Sequence, residues 1–373
     1  MKVSIVLPTY NQADMLPKAI ESIMNQTYQD WELIIVNDGS TDGTIEYLES
    51  LKVPSTSEKF KIVHHDHNQK LPSALNTGFE FATGEYYTWV SSDSVCTPYM
   101  IEALAGALDK YPEAGMAYAD FFIIDPDNHI LSRVSNPNYC FRSLITINDG
   151  NAAFMYPSKI AKEIGLYDVD LNGVEDWDYW TRISEKYPFV YVPEALYYYR
   201  LHEKSMQQNL KNKIEKTVTK MYAKLFERHN QNFHFSELFP YVDINSEKDV
   251  YFSLIKFGND LLNARVPQPG NAIKFYKGAI DRNQSNTVPW LNMSMAYAYL
   301  GHWNEAKVCL REANQRKAKG PMAKYIDQAI KACKDKDIKQ MKKIPIIYHT
   351  EQESIIEEEI RHKWHYSYTL KEK

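Results

Sequence analysis

The chain has 373 residues, enough for two domains and a sizeable core. Apolar residues make up 44% and charged residues 24%, with a formal charge of −5, so a globular protein without a basic field for nucleic acid is expected. No apolar run approaches the ~20 residues of a membrane span, which leaves peripheral membrane contact at most.

The four cysteines, Cys96, Cys140, Cys309 and Cys333, form no CxxC pair and no zinc-spaced cluster with histidine. Reduced thiols in a cytoplasmic protein are the expectation. Lys2 leads directly into a strand pattern, without the apolar stretch of a leader.

Val3 to Leu7 is a short apolar run ending at Pro8-Thr9-Tyr10-Asn11, the pattern of a buried parallel strand entering a loop. Leu16, Ala19, Ile20 and Ile23 predict a helix over Met15 to Gln26. A second strand, Trp31 to Val36, ends in Asn37-Asp38-Gly39-Ser40-Thr41-Asp42-Gly43-Thr44. A helix from Ile45, a strand over Phe60 to His64, a helix over Ser73 to Phe81 and a strand over Tyr86 to Val90 follow. This alternation predicts βαβ units, a mostly parallel sheet flanked by helices, and right-handed crossovers.

Open parallel sheets bind ligands at the carboxyl ends of their strands. Thr9, Tyr10, Asp38, Asp42 and Asp93 are therefore expected along one edge. Taken singly, such aspartates also serve as turn formers and helix caps. There is no GxGxxG and no Walker A lysine motif. An acidic cleft of this kind takes a diphosphate only with a divalent cation between the like charges.

Val3-Ser-Ile-Val-Leu-Pro-Thr-Tyr-Asn11 followed by Val36-Asn-Asp-Gly-Ser-Thr-Asp-Gly-Thr44 resembles the opening of a glycosyltransferase family 2 catalytic domain of GT-A fold. The match continues through Asn25-Gln-Thr-Tyr28, Ala74-Leu-Asn-Thr-Gly78 and Ala82-Thr-Gly-Glu-Tyr86, and extends to about residue 205. The resemblance implies that Pro8, Thr9 and Tyr10 lie along a nucleoside, that Asp38 accepts from its base, typically uracil, and that Asp93, beside Ser92, holds Mn²⁺ or Mg²⁺ on the diphosphate. The family usually carries two acids here, as DxD or DD. This chain has Ser91-Ser92-Asp93-Ser94, a single acid, which weakens metal binding or calls for another ligand.

Further on, the pattern predicts a helix over Met100 to Leu108, a strand over Met116 to Ile124, a turn at Asp125-Pro126-Asp127-Asn128 and a glycine-led strand from Gly150 to Tyr156. A helix from Asp176 to about Tyr187 follows Gly173-Val174-Glu175. Carboxylates are favoured at a helix start without any catalysis. The resemblance makes Asp176 the general base, with Glu175 in reserve, and leaves Asp178 to orient a neighbour or face solvent. Phe189 to Pro193 reads as a strand. In Leu196-Tyr-Tyr-Tyr-Arg-Leu-His202 the resemblance offers His202 as a metal ligand, a role imidazole suits.

Residues 206–248 read as a helical connector with a solvated lysine face of Lys211, Lys213, Lys216 and Lys220. Ala272, Tyr276 and Ala279 recur as Ala306, Leu310 and Ala313, each 34 residues on, which is similar to the tetratricopeptide repeat. The expected organisation is therefore 1–205 catalytic, 206–248 connector, 249–335 helical and repeat-like, and 336–373 a charged tail. The function implied is an inverting, metal-dependent transfer of a sugar from a nucleotide-diphosphate donor, UDP-linked, to a hydroxyl of a glycan or protein; a homo-oligomer is compatible with it. The alternative is a catalytically weak fold acting as a scaffold through its helical repeats. Nucleotidyl transfer is disfavoured by the lack of a glycine-rich loop after the first strand.

Overall fold

A computed structural model describes residues 1–54, 57–137, 139–146, 151–202, 211–229, 235–239, 242–264, 266–316 and 320–347. The acidic run Glu351 to Glu359, Gly150 and the side chains of Lys211 and Lys213 lie outside the described residues. The chain divides into two compact units, the first holding Met1–Leu144 and Asn148–Asn232, the second Ile145–Ile147 and the chain from Phe233.

The first unit is built on a nine-stranded sheet. Its strands are β1 (Val3–Thr9), β2 (Trp31–Asn37), β3 (Phe60–His64), β4 (Tyr86–Trp89), β5 (Val95–Cys96), β6 (Met116–Ile124), β7 (Ile130–Val134), β8 (Ala153–Pro157) and β9 (Phe189–Arg200). The spatial order is β3-β2-β1-β4-β8-β6-β9-β5, with β7 on β6. Helices α1 (Leu16–Met24), α2 (Thr44–Ser50), α3 (Leu71–Glu80), α4 (Met100–Lys110), α5 (Phe141–Thr146), α6 (Ser158–Ile164), α7 (Glu175–Ser184) and α8 (Lys211–Arg228) accompany the strands.

β1 is the middle of the parallel half, paired with β2 on one side and β4 on the other. Every residue of β1 and β2 is buried, as expected for strands covered on both faces. On one face Val3, Ile5 and Leu7 share a core with Leu16, Ala19, Ile20 and Ile23 of α1. On the other face α3 comes so close that a Cβ on Gly78 would lie 2.4 Å from Val6 Cγ1. Chain order reverses between β2 and β4 around β1, and ligands of open α/β sheets gather at such a switch point.

Beyond β4 the sheet turns mixed. β8 runs antiparallel to both β4 and β6, β9 runs parallel to β6, and β5 runs antiparallel to β9. β9 is longer than its apolar pattern predicts. It continues past Pro193 to Arg200 because β6 offers backbone partners as far as Ile124. That extension creates β5, which pairs Val95 with Tyr198 and Cys96 with Tyr197. α8 buries Ile214, Val218, Met221, Tyr222, Leu225 and Phe226, and on its exposed face Lys220 pairs with Asp170 at 2.9 Å.

The second unit is helical: α9 (Phe235–Leu238), α10 (Glu247–Asn263), α11 (Pro269–Arg282), α12 (Val288–Tyr299), α13 (Trp303–Gln315), α14 (Pro321–Lys334) and α15 (Ile338–Met341). From α10 on, each of these helices packs against the next. The small residues Ala272, Ala279, Ala306 and Ala313 are all fully buried. A Cβ on Gly258 of α10 would lie 2.6 Å from the ring of Tyr276 on α11, itself fully buried. Gly258→Ala would gain up to about 1 kcal/mol of helix propensity. Overpacking against a ring that cannot move loses about 1–3 kcal/mol. A lower melting temperature is expected, and an unchanged or raised one in a thermal melt would refute this packing.

Candidate active site at the carboxyl edge of the sheet

The loops after β1, β2 and β3 interlock. Asn11, at φ 53°, accepts a hydrogen bond from the Thr41 amide at 2.7 Å, and its own amide donates to Ser40 Oγ at 2.9 Å. Asp42 accepts from the amides of Ala13 and Thr44. It therefore forms the Asx turn expected of it and ties the first loop to the second. Pro8 and Thr9 are buried, whereas Tyr10 is 43% exposed and presents its ring at the edge. Thr9 Oγ1 is buried without a hydrogen-bond partner, a group of the kind ligands satisfy.

Asp38 does more than the sequence suggests. Its buried carboxylate accepts from the Gln69 amide (2.8 Å) and the Lys70 amide (2.9 Å) and bonds His65 Nδ1 (2.8 Å). His65 in turn bonds Thr77 Oγ1 at 3.0 Å. Asp38 thus holds the loop between β3 and α3. One of its roughly four lone-pair positions stays open for a ligand donor. Gly39 stands at φ +69°, and a Cβ there would lie 2.5 Å from the backbone of His67.

Asp93 lies at the neighbouring strand end. Val6 stands opposite Trp89, so the residues after β4 run on beside Pro8 and Thr9. The antiparallel β5–β9 pair then brings in the end of β9, and Asp93 Oδ2 meets His202 Nε2 at 3.1 Å across 109 residues of sequence. Ser91 Oγ and Ser94 Oγ both donate to Asp93 Oδ1, at 2.7 and 2.8 Å. Burial alone would raise this carboxyl, but the hydrogen bonds from His202, Ser91 and Ser94 outweigh it and hold it below the usual carboxylate range. Ser92 is buried between them in sequence. An octahedral ion with bonds of about 2.1 Å sets adjacent ligand atoms about 3 Å apart. The Asp93–His202 pair fits that edge, and divalent ions are commonly held by one carboxylate plus substrate phosphates and water. Asp125, Asp127 and His129 also bring ligand atoms within 4.8 Å of one another, on the exposed turn after β6. There Asp125 already accepts from the amides of Asp127 and His129, as in an Asx turn.

Glu175 and Asp176 open α7. Glu175 is buried and accepts from the Gly173 amide. Burial pushes its carboxyl well above the ordinary range, and the adjacent Asp176 charge pushes it further. Asp176 keeps part of its surface open to solvent and accepts from the Trp177 amide at 2.6 Å. Burial raises its carboxyl too. Asp178 is buried and orients two arginines, with Arg182 Nε at 2.8 Å and Arg228 Nη1 at 3.3 Å. The phenol of Tyr199 is raised first by burial, then by the charges of Asp93 and Asp176.

Residues 4–161 match the model of the family "Glycosyl transferase family 2". An uncharacterised glycosyltransferase of Rickettsia typhi is 30% identical over 222 residues, which span 57% of this chain and 68% of that one. The chain belongs to glycosyltransferase family 2. An uncharacterised glycosyltransferase of Haemophilus influenzae is 25% identical over 250 residues, 63% of this chain and 75% of its own. Among solved structures, S. aureus TarS 1-349 in complex with UDP-GlcNAc gives a TM-score of 0.48 at 15% identity, covering 92% of this chain and 90% of that one.

In this glycosyltransferase the matched stretch carries Pro8, Thr9, Tyr10, Asp38, Ser92 and Asp93, while Glu175, Asp176 and His202 lie beyond it. Arg200 is a residue the sequence reading passed over. Its buried guanidinium donates to the backbone oxygens of Asp93, Asp125 and Pro126, stitching the strand ends that frame Asp93. The signal was a lone arginine two residues before the histidine, in a run read for that histidine. His65 was passed over likewise, because a histidine following a strand has no distinguishing spacing. Among the described residues no helix is long and apolar enough to cross a membrane.

Proposed function

We propose that this glycosyltransferase moves a sugar from a UDP-linked donor to a hydroxyl of a glycan or protein, with inversion and with a divalent ion, Mn²⁺ or Mg²⁺. The observation that supports the reading is the meeting of His202 with Asp93 at 3.1 Å, where the imidazole would serve as the second ligand of a single-acid site. A bound divalent ion would supply positive charge to the leaving diphosphate. Thr9 and Tyr10 line the nucleoside, and the open position of Asp38 accepts from its base. Asp176, ionised, takes the proton of the acceptor hydroxyl as that oxygen bonds the anomeric carbon. The bond from that carbon to the diphosphate oxygen breaks, and the nucleoside diphosphate leaves. Glu175, more deeply buried and pushed further up, stays protonated over a wider range and leaves the neighbouring Asp176 as the charged member of the pair. The helical unit, read as repeat-like pairs, serves the acceptor.

The test is calorimetry of UDP with Mn²⁺ and with EDTA. UDP is expected to bind at least about tenfold tighter with Mn²⁺, because like charges otherwise face the diphosphate. Equal affinities would remove the metal from the mechanism. The lone Asp93 also permits the scaffold reading. Hydrolysis of a nucleotide sugar by the full-length chain separates the two, since a scaffold would show none.

A further inference from the structure

The two residues that follow Asp176 are both held by α8. Trp177, whose amide donates to Asp176, packs edge-to-face on Tyr222 of α8, with ring centroids 5.8 Å apart. Asp178 is 2% exposed, and each of its oxygens takes one arginine. Arg182, one turn further along α7, donates from Nε at 2.8 Å, and Arg228, on α8, donates from Nη1 at 3.3 Å.

Arg228 also reaches the other end of the same helix. Its Nε and Nη2 donate to Glu185, the residue that ends α7, at 3.1 and 3.0 Å. One guanidinium therefore bridges the first turn of α7 and its last, a task that a rigid fork of donors suits. Lys220, Lys224 and Arg228 follow one another at intervals of four and share a face of α8, where they meet Asp170, Asp168 and Asp178 in turn. The buried apolar stripe of α8 would be enough to cover its neighbours, but apolar contact has no direction. The charge-assisted bonds add a fixed geometry.

We propose that Arg228 is a positioning residue for the general base: by holding Asp178 and Glu185 it sets where α7 begins, and so where Asp176 stands relative to the acceptor hydroxyl. The inference rests on the reading of Asp176 as the base. A base acts only within about 3 Å of its proton, and a misplacement of about 1 Å can cost roughly 10²-fold in rate. The charged groups around Asp178 are Arg182, Arg228 and Lys224, with Glu185 sharing Arg228 and His229 standing 3.4 Å from Glu185. Glu175, Tyr167 and Tyr199 are the titratable groups whose charges interact with that of Asp176. Arg228→Gln removes one cation from this set, and the acidic excess then raises the Asp176 carboxyl further.

The test is hydrolysis of UDP-glucose, UDP-galactose and UDP-GlcNAc by the full-length protein with Mn²⁺ across pH, water standing in for the acceptor. Arg228→Gln is expected to lower kcat at least about threefold, to move the acid limb of kcat up by about half a pH unit, and to leave UDP affinity unchanged. Arg228→Lys restores the charge but not the fork, so its limb should return to the wild-type pH while kcat stays low. A cooperatively melting Arg228→Gln with the wild-type kcat or the wild-type limb overturns the proposal. So does one that loses UDP affinity in step with kcat, which would mark a merely structural role. Should Arg228→Gln fail to fold, Arg228→Lys decides, and a wild-type kcat there overturns the proposal. Asp176→Asn, run beside them, separates the two readings. If it turns over normally, or if the wild type hydrolyses none of the three donors, the base assignment falls and this inference with it. If it is dead while the Arg228 variants match the wild type, this inference alone falls.

Discussion

Asp176→Asn is expected to lower turnover by about 10²–10⁴-fold, the usual size of a general-base contribution, while UDP affinity stays unchanged. The amide keeps the shape at the start of α7 and the acceptor oxygen for the Trp177 amide, but cannot take a proton. The wild type should show an acid limb in kcat, because the base works only when ionised. Burial raises the Asp176 carboxyl, so the limb should lie above the value near 4 of an ordinary carboxylate. A pH profile of donor turnover with acceptor present reads both effects. Normal turnover in Asp176→Asn together with a dead Glu175→Gln would move the assignment to Glu175.

Asp38→Ala is expected to act on stability as much as on binding. It strips one partner each from the amides of Gln69 and Lys70 and from His65. The Lys70 amide keeps Asn68 Oδ1 at 3.1 Å, and each donor left without a partner loses about 1–3 kcal/mol where water cannot replace it. Partial exposure of this loop reduces the sum, and about 2–4 kcal/mol is expected, a large share of a typical 5–15 kcal/mol. UDP affinity in EDTA should fall as well, because the loop between β3 and α3 loses its anchor. Asp38→Asn should lose less than Asp38→Ala, since its amide oxygen can still accept from the Gln69 amide and bond His65, while its nitrogen cannot accept from the Lys70 amide. A urea melt that leaves Asp38→Ala as stable as the wild type would show that the loop is organised by other contacts.

The parallel half of the fold was legible because its signals are local. Phe60–His64 falls where its pattern places it, as does Met116–Ile124 in the mixed half, and Val3–Thr9 and Trp31–Asn37 exceed theirs by two residues and one. Apolar runs bounded by turn residues identify buried strands without any knowledge of their neighbours. Val95–Cys96 could not be read, since two residues carry no periodicity and pair only because β9 runs on beside them. The same holds within the site. Asp93 and Asp176 announce themselves by their sequence neighbours, whereas the use of Asp38 by His65 and the Arg200 stitches depend on strand order. The helix Lys211–Arg228 is expected as a connector with a solvated lysine face, and Lys216 and Lys220 are exposed. Its burial rests on Ile214, Val218, Met221, Tyr222 and Leu225, a stripe the charges obscured.

The meeting of Asp93 with His202 also fixes an order of events during synthesis. The two are separated by 109 residues, and the contact depends on β9 adding to β6 and β5. Non-local pairings of this kind form late, after the chain entropy of the intervening loop has been overcome. A chain still growing can complete the βαβ units around β1 while Asp93 has only its two serines for company. Until residue 202 emerges and docks, the carboxylate lacks the partner that most strongly offsets its burial. The first half of the sheet therefore has to remain soluble, with its β4 edge unpaired, for the time taken to make the second half. Variants that slow β9 should show up as low yield of soluble protein before they show up as altered catalysis.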